Sequence, residues 1–459
     1  MFENFSWRNV WESARKFTHT TLRKYAMFVL RLSPSQNILQ GMILYTLLGW
    51  LALSLPFMDN GQVGLLDNLF TAASAMSTAG LNSVNFAESY TFLGKLVILL
   101  LVQAGGIGYM TMSSFLYLSF SRRLRPRHKE VLNTEFALPR TVRLQDFLRT
   151  AIIFTFIAEL IGAAFLYNYF HRHGYSAAEA VWYGIFHSVS AFCTAGITLF
   201  PDNLVSFADS KTINIVISVL SLAGAMGFIV VTDMFNWLVR RSKEISYTSK
   251  IIVVFTLGAL LMATFFILIT NPHLTAAQAA FQATSAMTTA GFNTVPLSAL
   301  SAGALMVLMA LMSVGGSPSG TGGGIKTTAA TCLLAIVSSH LQGRKQITFL
   351  GKEIPTYRLY IATSSFIFYI FLLFVTLFLL VWTESLPFLD LLFEATAALA
   401  TAGISSGVSG QLSPLGKLII IAAMLIGRVG VITFGMALLN QTDEDEEPEP
   451  PAKHEDLAV

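Results

Sequence analysis

Charged side chains are scarce in this sequence. Asp, Glu, Lys and Arg together account for 12% of its 459 residues, whereas hydrophobic residues account for 54%. A chain of this composition, with a mean hydropathy of +0.63, has too few polar side chains to cover a water-facing surface. Charge-free apolar stretches long enough to cross a bilayer recur, for example at 38–57, 251–269 and 361–381. The composition predicts an integral membrane protein in a lipid bilayer and does not suggest a nucleic-acid partner.

Cysteines and clusters of metal ligands are equally rare. Cys193 and Cys332 both lie in apolar segments and have neither a disulfide framework nor metal-ligand spacing. His171 and His173 stand in a predicted external loop without a Cys or carboxylate cluster, so surface positions are favoured over a metal site. No Ser, His and Asp residues have the context of a catalytic nucleophile. We predict that the chain is not an enzyme and binds no cofactor or metal beyond a transported ion. A membrane enzyme and a structural scaffold are the minor alternatives.

The distribution of Lys and Arg predicts the orientation of the chain. These residues cluster in 1–37, 122–129, 240–243 and 344–358, which we place in the cytoplasm. The alternation gives eight crossings, with both termini cytoplasmic, at 38–58, 93–120, 148–170, 212–239, 250–270, 303–340, 358–382 and 415–439. No signal-peptide cleavage site follows the first apolar stretch. The acidic, Pro-rich tail 441–459 is predicted to be disordered.

An internal repeat divides the chain into four related units. Four short apolar stretches, 70–80, 186–196, 281–291 and 393–403, each begin with Phe and end ten residues later in Thr-Ala-Gly. Each stretch lies between two predicted crossings. The predicted organisation is a basic N-terminal segment (1–37), repeat one (38–120), repeat two (121–240), repeat three (241–345), repeat four (346–440) and the tail (441–459).

Each repeated stretch is too short to cross the hydrocarbon, so it must enter and leave on one side. Irregular backbone at that depth is tolerated only where it is buried in protein or lines a water-filled cavity. Four such stretches therefore indicate a shared aqueous pathway. Carbonyl oxygens exposed by the glycines, and the negative ends of short helices, would favour a cation there. The alternative is that Thr-Ala-Gly merely caps four buried helices, because Gly is the usual residue after a helix end.

These motifs resemble the Trk/Ktr/HKT superfamily of potassium and sodium transporters, and the resemblance covers about 38–440. It implies an all-α integral membrane protein of four membrane-pore-membrane repeats. Eight transmembrane helices and four re-entrant pore helices would surround one ion pore in a pseudo-fourfold arrangement. The Ktr branch fits better than the Trk branch, because too few apolar residues precede Ile38 for an additional hairpin. The implied ion-binding residues of the selectivity filter are Ser77, Thr78, Ala79, Gly80, Cys193, Thr194, Ala195, Gly196, Thr288, Thr289, Ala290, Gly291, Ala400, Thr401, Ala402 and Gly403.

A glycine-rich segment, 315–326, interrupts the second crossing of repeat three. Gly and Pro both penalise a helix there, so we predict a broken helix whose irregular backbone lies beneath the filter. A phosphate-binding loop is disfavoured, since Ile325 separates the last glycine from Lys326. The resemblance implies an intramembrane gate, and a static plug is the alternative. The implied gate residues are Gly315, Gly316, Ser317, Pro318, Ser319, Gly320, Thr321, Gly322, Gly323, Gly324, Lys326 and Arg428.

Arg428 lies near the middle of the last predicted crossing. An ionised side chain at that depth costs about 2.5–3.5 kcal/mol unless it faces a cavity or a partner. We expect it to hold the glycine-rich segment through carbonyl groups, and Glu159 in the third crossing is a candidate partner. Glycines also interrupt three other crossings, at 105–108, 224–227 and 427–430. Close helix packing is the favoured interpretation there.

The predicted substrate is potassium, and a sodium-permeable or sodium-coupled cation transporter of the same superfamily is the alternative. The resemblance implies a homodimer in the cytoplasmic membrane and a cytosolic ring of nucleotide-binding regulatory subunits (KtrA/KtrC-like) that bind ATP and ADP. Basic residues in the cytoplasmic connections are the expected contacts with this ring, although they would orient the helices in any case. They are Arg122, Arg123, Arg125, Arg127, Lys129, Arg344 and Lys345.

Substitution of the first filter glycine, Gly80→Ser, tests the selectivity assignment. In this superfamily a serine at that position accompanies sodium transport, and a carbonyl ring can replace the hydration shell of potassium. We expect the variant to discriminate less well against sodium, as measured by potassium and sodium flux into liposomes. Equal movement of both ions by the unchanged protein would show that the assignment is wrong.

Overall fold

The structure, a computed structural model, describes residues 32–61, 63–108, 144–240, 242 and 244–439. Its regular structure is almost wholly helical. Two strands of two residues each, Thr348–Phe349 and Lys352–Glu353, form an antiparallel hairpin. The described chain therefore confirms the predicted all-α class and adds one small hairpin. The predicted tail, the basic cluster 122–129 and most of the N-terminal segment lie outside the described residues.

Fifteen α-helices follow one another along the described chain. They are α1 (Pro34–Leu53), α2 (Leu65–Ser77), α3 (Phe86–Ser89), α4 (Phe92–Ile107), α5 (Leu144–Arg172), α6 (Ala177–Phe192), α7 (Lys211–Leu238), α8 (Tyr247–Thr270), α9 (Ala276–Met287), α10 (Ala302–Ser313), α11 (Thr327–Leu341), α12 (Thr356–Thr383), α13 (Phe388–Leu399), α14 (Pro414–Val429) and α15 (Val431–Leu439). Local signals start several of them. Capping boxes open α6, where Ser176 pairs with Glu179, and α9, where Thr275 pairs with Gln278.

Several helices are long and apolar enough to span a bilayer. By length and composition, four described helices qualify alone: the α5 segment Leu148–Arg172, α7, α8 and α12. The pair α14 and α15 makes a fifth span if both count as one, although the pair is bent by 97°. α4, α10 and α11 are apolar but shorter. The eight crossings stay a prediction, and the segment 415–439, predicted as one crossing, is sharply bent.

The four short helices, α2, α6, α9 and α13, are packed in the same way. Each lies between the helix before it and a later helix of the same repeat: α2 between α1 and α4, α6 between α5 and α7, α9 between α8 and α10, and α13 between α12 and α14. The Phe that opens each repeated stretch is buried in every case, at Phe70, Phe186, Phe281 and Phe393. Burial of this large apolar side chain fixes the rotation of each short helix against its neighbours. The repeat boundaries themselves stay a prediction.

The outer faces of the long helices carry large apolar side chains. Leu160 on α5, Leu261 on α8 and Trp382 on α12 are 73%, 75% and 78% exposed. Apolar faces of this extent are suited to lipid rather than to water. The described helices thus form a multi-pass membrane protein whose polar groups are gathered inside.

Candidate functional site

A threonine behind each short helix adopts an uncommon backbone conformation. Thr78, Thr194, Thr289 and Thr401 have φ of 54°, 53°, 55° and 49°, in the left-handed region. The next N–H then bonds a carbonyl five residues earlier, as from Ala195 to Ser190 at 2.8 Å, and closes the helix end. Glycine usually takes this position, and a β-branched residue there is strained. Strain of this kind concentrates at functional sites.

The capping alternative is therefore wrong in one respect. The residue that takes the left-handed conformation at the end of each short helix is the threonine of Thr-Ala-Gly, and the glycine lies two residues beyond it. The filter glycine therefore does not form the end of the helix.

The four glycines meet one another in a closed ring. A Cβ atom added to Gly196 would lie 2.7 Å from the Cα of Gly291, and one added to Gly291 would lie 2.6 Å from the Cα of Gly403. One added to Gly403 would lie 3.1 Å from the Cα of Gly80, and one added to Gly80 would overlap the carbonyl oxygen of Ala195. Only glycine fits at these positions, because other backbone atoms occupy the space of a side chain.

The structure brings the four predicted filter segments, 77–80, 193–196, 288–291 and 400–403, together at this ring. All sixteen residues are buried: Ser77, Thr78, Ala79, Gly80, Cys193, Thr194, Ala195, Gly196, Thr288, Thr289, Ala290, Gly291, Ala400, Thr401, Ala402 and Gly403. The ring is only approximately fourfold. Gly80, Gly196 and Gly291 have φ of 72°, 63° and 84°, whereas Gly403 lies outside the left-handed region.

Glycines of the later helices pack against the ends of the short helices. A Cβ added to them would overlap the carbonyl oxygen that lies four residues before a filter glycine. The pairs are Gly105 with Met76, Gly224 with Phe192 and Gly427 with Leu399. These contacts agree with the close-packing interpretation and repeat at the same offset in three repeats.

The last glycine of each of these three interruptions breaks its helix, whereas close packing was the favoured interpretation there. Gly108, Gly227 and Gly430 each follow the close-packed glycine by three residues and have φ of 88°, 82° and 92°. Gly108 ends α4, Gly227 interrupts α7, and Gly430 separates α14 from α15. The glycine spacing was visible in the sequence, but we predicted a broken helix only for repeat three.

The glycine loop, residues 315–326, fills the break in α7. The N–H groups of Ser317 and Thr321 donate to the carbonyls of Ala225 and Gly224 at 2.9 and 3.0 Å. In return the N–H of Phe228 donates to the carbonyl of Ser319 at 3.3 Å. Two irregular segments thus pair each other's backbone, as irregular backbone buried in a membrane protein requires.

The glycine loop also lies directly against three filter segments. Thr321 Oγ1 donates to the carbonyl of Phe192 at 3.1 Å and lies 3.2 Å from Thr194 Oγ1. The N–H of Gly323 donates to Thr289 Oγ1 at 3.1 Å, and a Cβ on Gly323 would overlap the carbonyl oxygen of Ala400. Its predicted residues are buried at Gly315, Gly316, Ser317, Pro318, Ser319, Thr321, Gly322 and Gly323, and partly buried at Gly320, Gly324 and Lys326.

Arg428, which is partly buried on α14, bridges the glycine loop and α4. Its guanidinium donates to the carbonyls of Thr321 and Gly105 and, at 3.1 Å, to that of Gly106. Contact with loop carbonyls was the predicted mode. Glu159 instead accepts from Gln103 Nε2 at 3.0 Å, and no ion pair joins it to Arg428 among the described residues. Gly106, whose carbonyl accepts from Arg428, packs directly against Cys193, and the Sγ atom of Cys193 lies 3.8 Å from Glu159 Oε1.

A second cation, Lys326, lies at the end of the glycine loop. Its ammonium donates to the carbonyl of Gly322 at 2.8 Å, within the loop itself. A cavity of about 270 Å³ opens beside these groups, and residues of the loop and of the broken helices line it, including Gly108, Lys326, Arg428 and Gly430. Two positive side chains at this cavity would raise the free energy of a cation there.

An amide from repeat two reaches the filter segment of repeat three, a contact that the sequence did not reveal. Asn203 Nδ2 donates to the carbonyl of Gly291 at 3.2 Å, and its Oδ1 accepts from the N–H of Asn293 at 3.1 Å. Asn203 has a left-handed backbone, φ 63°. Nothing in the repeated letters points to this position, because the partner lies in another repeat.

Metal-binding clusters are not found among the described residues: no group of three or more His, Cys, Asp or Glu side chains could hold an ion. His171 and His173 stack on Tyr167 and Tyr169, with ring centroids 5.6 and 4.0 Å apart. Backbone carbonyls and hydroxyls are the groups that the site offers to an ion.

A family model described as TrkH, cation transport protein, matches residues 35–276 and 252–444. The chain belongs to this family, as its resemblance to the Trk/Ktr/HKT superfamily predicted.

Individual relatives extend over most of the chain. Ktr system potassium uptake protein B of Bacillus subtilis is 32% identical over 416 residues, which are 88% of this chain and 92% of that protein. Potassium/sodium uptake protein NtpJ of Enterococcus hirae is 32% identical, with 91% and 95% covered. The crystal structure of the potassium transporter TrkH from Vibrio parahaemolyticus has a TM-score of 0.67 at 21% identity, with 89% and 85% covered, and shows the shared fold.

Removal of the glycine loop tests its role. Deletion of 316–322 should raise cation flux into liposomes severalfold if the loop obstructs the pathway, and Arg428→Ala should raise it to a smaller degree by releasing Thr321. The deletion also removes partners of α7, so each variant must first elute as a monodisperse protein. Unchanged or lower flux in folded variants would indicate a structural loop.

Proposed function

We propose that the chain is the pore-forming subunit of a Ktr-type potassium uptake system and forms a gated, potassium-selective pathway. The observation that carries the proposal is the closed ring of four filter glycines. In this arrangement four membrane-pore-membrane repeats surround one pathway. Eight helices cross the membrane, and α2, α6, α9 and α13 are the re-entrant pore helices.

The chemistry of the filter segments suits a dehydrated cation. They contain only Ser, Thr, Ala, Cys and Gly, so the coordinating groups would be backbone carbonyls and hydroxyls. Such a ring can replace the hydration shell of potassium. The carboxyl ends of four short helices add partial negative charge close to it.

A sodium-permeable or sodium-coupled pathway is the second candidate. The relative named as a potassium/sodium uptake protein and the one named as a potassium uptake protein are both 32% identical to this chain, so identity does not separate the two candidates. Glycine at all four filter positions favours potassium, because the superfamily's sodium transport accompanies serine at the first of them.

The glycine loop would be the gate of this pathway. It contacts the filter segments of repeats two, three and four and is held by Arg428. An equilibrium between loop positions would then control flux. We place the chain in the cytoplasmic membrane with both termini in the cytoplasm, since its basic connections are predicted to be internal.

Flux through the filter ring is the decisive measurement. In proteoliposomes the unchanged chain should pass potassium at least about tenfold better than sodium, a difference of about 1.4 kcal/mol. Gly291→Ala should abolish flux, because the added Cβ meets Gly403. Gly258→Ala is the matched control, since no atom lies within 4 Å of the added group. Full flux through folded Gly291→Ala would contradict the proposal.

The proposed gate requires a regulator that binds its two states differently. We propose a cytosolic ring of KtrA/KtrC-like subunits that binds ATP and ADP, and a homodimer of this chain above it. The relatives' names refer to a Ktr system, which implies further components. Arg344 and Lys345 are exposed and available for contact, whereas 122–129 lie outside the described residues.

Purification under mild detergent tests this partner. We expect a soluble nucleotide-binding protein to elute with the chain from its native membrane, and ATP and ADP to have opposite effects on potassium flux through the reconstituted assembly. Full activity of the isolated chain, insensitive to nucleotide and without any companion, would reject the partner.

A further inference from the structure

A polar residue follows the buried Phe in every one of the four short helices. These residues are Thr71, His187, Gln282 and Glu394, and each is at most 1% exposed. Buried polar groups are costly unless they are hydrogen-bonded. Four buried polar side chains at the same offset therefore indicate that each short helix makes a hydrogen bond at this position.

In repeats two and three the partner is the chain just beyond the filter glycine. The N–H of Leu199 donates to His187 Nε2 at 3.3 Å, and Gln282 Nε2 donates to the carbonyl of Val295 at 3.1 Å. In repeat one, Thr71 Oγ1 accepts from the hydroxyl of Tyr90 at 3.0 Å. Each short helix is thus tied to the chain that returns from its own filter segment.

Repeat four makes this tie with a carboxylate. Glu394 is fully buried, and its two oxygens accept from two serine hydroxyls of the returning chain. Ser405 Oγ donates to Oε1, and Ser409 Oγ donates to Oε2 at 2.9 Å. Repeat four therefore has two bonds between its short helix and the returning chain, through both oxygens of one side chain.

The same repeat has the exceptional filter glycine. Gly403 is the one of the four whose φ is not left-handed, and Ser405 follows it by two residues. The contact from Glu394 therefore acts on the segment whose backbone departs from the pattern of the other three.

We propose that Glu394 is a positioning residue for ion selection: by holding Ser405 and Ser409 it sets the orientation of the backbone at Gly403. This inference rests on the proposed function as a selective cation pathway. Glu394 does not act as an ion ligand, because its two oxygens face serine hydroxyls and the side chain is buried behind the filter segment.

Glu394→Gln tests the proposal, and Glu384→Gln is its matched control. Glu384 also accepts from a serine, with Ser413 Oγ at 2.5 Å and Ser413 N at 3.0 Å, but this serine is the N-cap of α14 and not part of the chain next to a filter segment. The readout is the ratio of potassium to sodium permeability in proteoliposomes, which a purely structural contact would leave unchanged. Melting temperature in detergent is measured for every variant.

We expect Glu394→Gln to lower the permeability ratio about tenfold, equivalent to about 1.4 kcal/mol of discrimination, and Glu384→Gln to keep it. The double variant Ser405→Ala, Ser409→Ala should reproduce the loss with Glu394 in place, and it carries the test if Glu394→Gln does not fold. An unchanged ratio in either folded variant, or an equal loss in Glu384→Gln, overturns the inference. A ratio near one in the unchanged protein would overturn the proposed function itself.

Discussion

Backbone hydrogen bonding inside a bilayer constrains every irregular segment of this protein. An N–H or C=O group without a partner in hydrocarbon costs several kcal/mol. The break of α7 at Gly227 and the glycine loop satisfy each other's backbone groups, because each supplies donors and acceptors that the other lacks. The loop closes on α10 as well, where the N–H of Ile325 donates to the carbonyl of Ser313 at 2.8 Å. These backbone exchanges hold the loop together with side-chain contacts from Arg428, Thr321 and Thr289.

Close approach of backbones is the second constraint. The filter glycines meet without room for a Cβ, and the glycines of α4, α7 and α14 pack on the carbonyls that end the short helices. Interfaces of this kind depend on small residues, since van der Waals contact rather than a hydrophobic driving force holds helices together in lipid. The short helices are fixed in depth and rotation by these contacts and by their buried Phe side chains. That packing determines where the filter segments lie.

Several contacts around the filter ring are made by groups that occur in a single repeat. Repeat three carries the glycine loop, repeat four carries Arg428 and the buried carboxylate of Glu394, and repeat two sends Asn203 to its neighbour. Arg428 illustrates the consequence, since one side chain holds a carbonyl of the loop and two carbonyls of α4. Contacts of this kind join different repeats through groups that the repeat pattern does not contain.

The sequence by itself determined the helical membrane class, the four repeated stretches and the broken helix at 315–326, because hydrophobic length and glycine content act locally. The repeat also predicted that the four stretches share one site, and the resemblance to the superfamily supplied the sixteen filter residues. The tertiary structure decided that threonine rather than glycine takes the left-handed conformation directly behind each short helix and that Gly108, Gly227 and Gly430 break three more helices. It also gave Glu159 a different partner from Arg428. These features depend on contacts between residues far apart in the chain, and a local sequence pattern does not contain the free energies of such contacts.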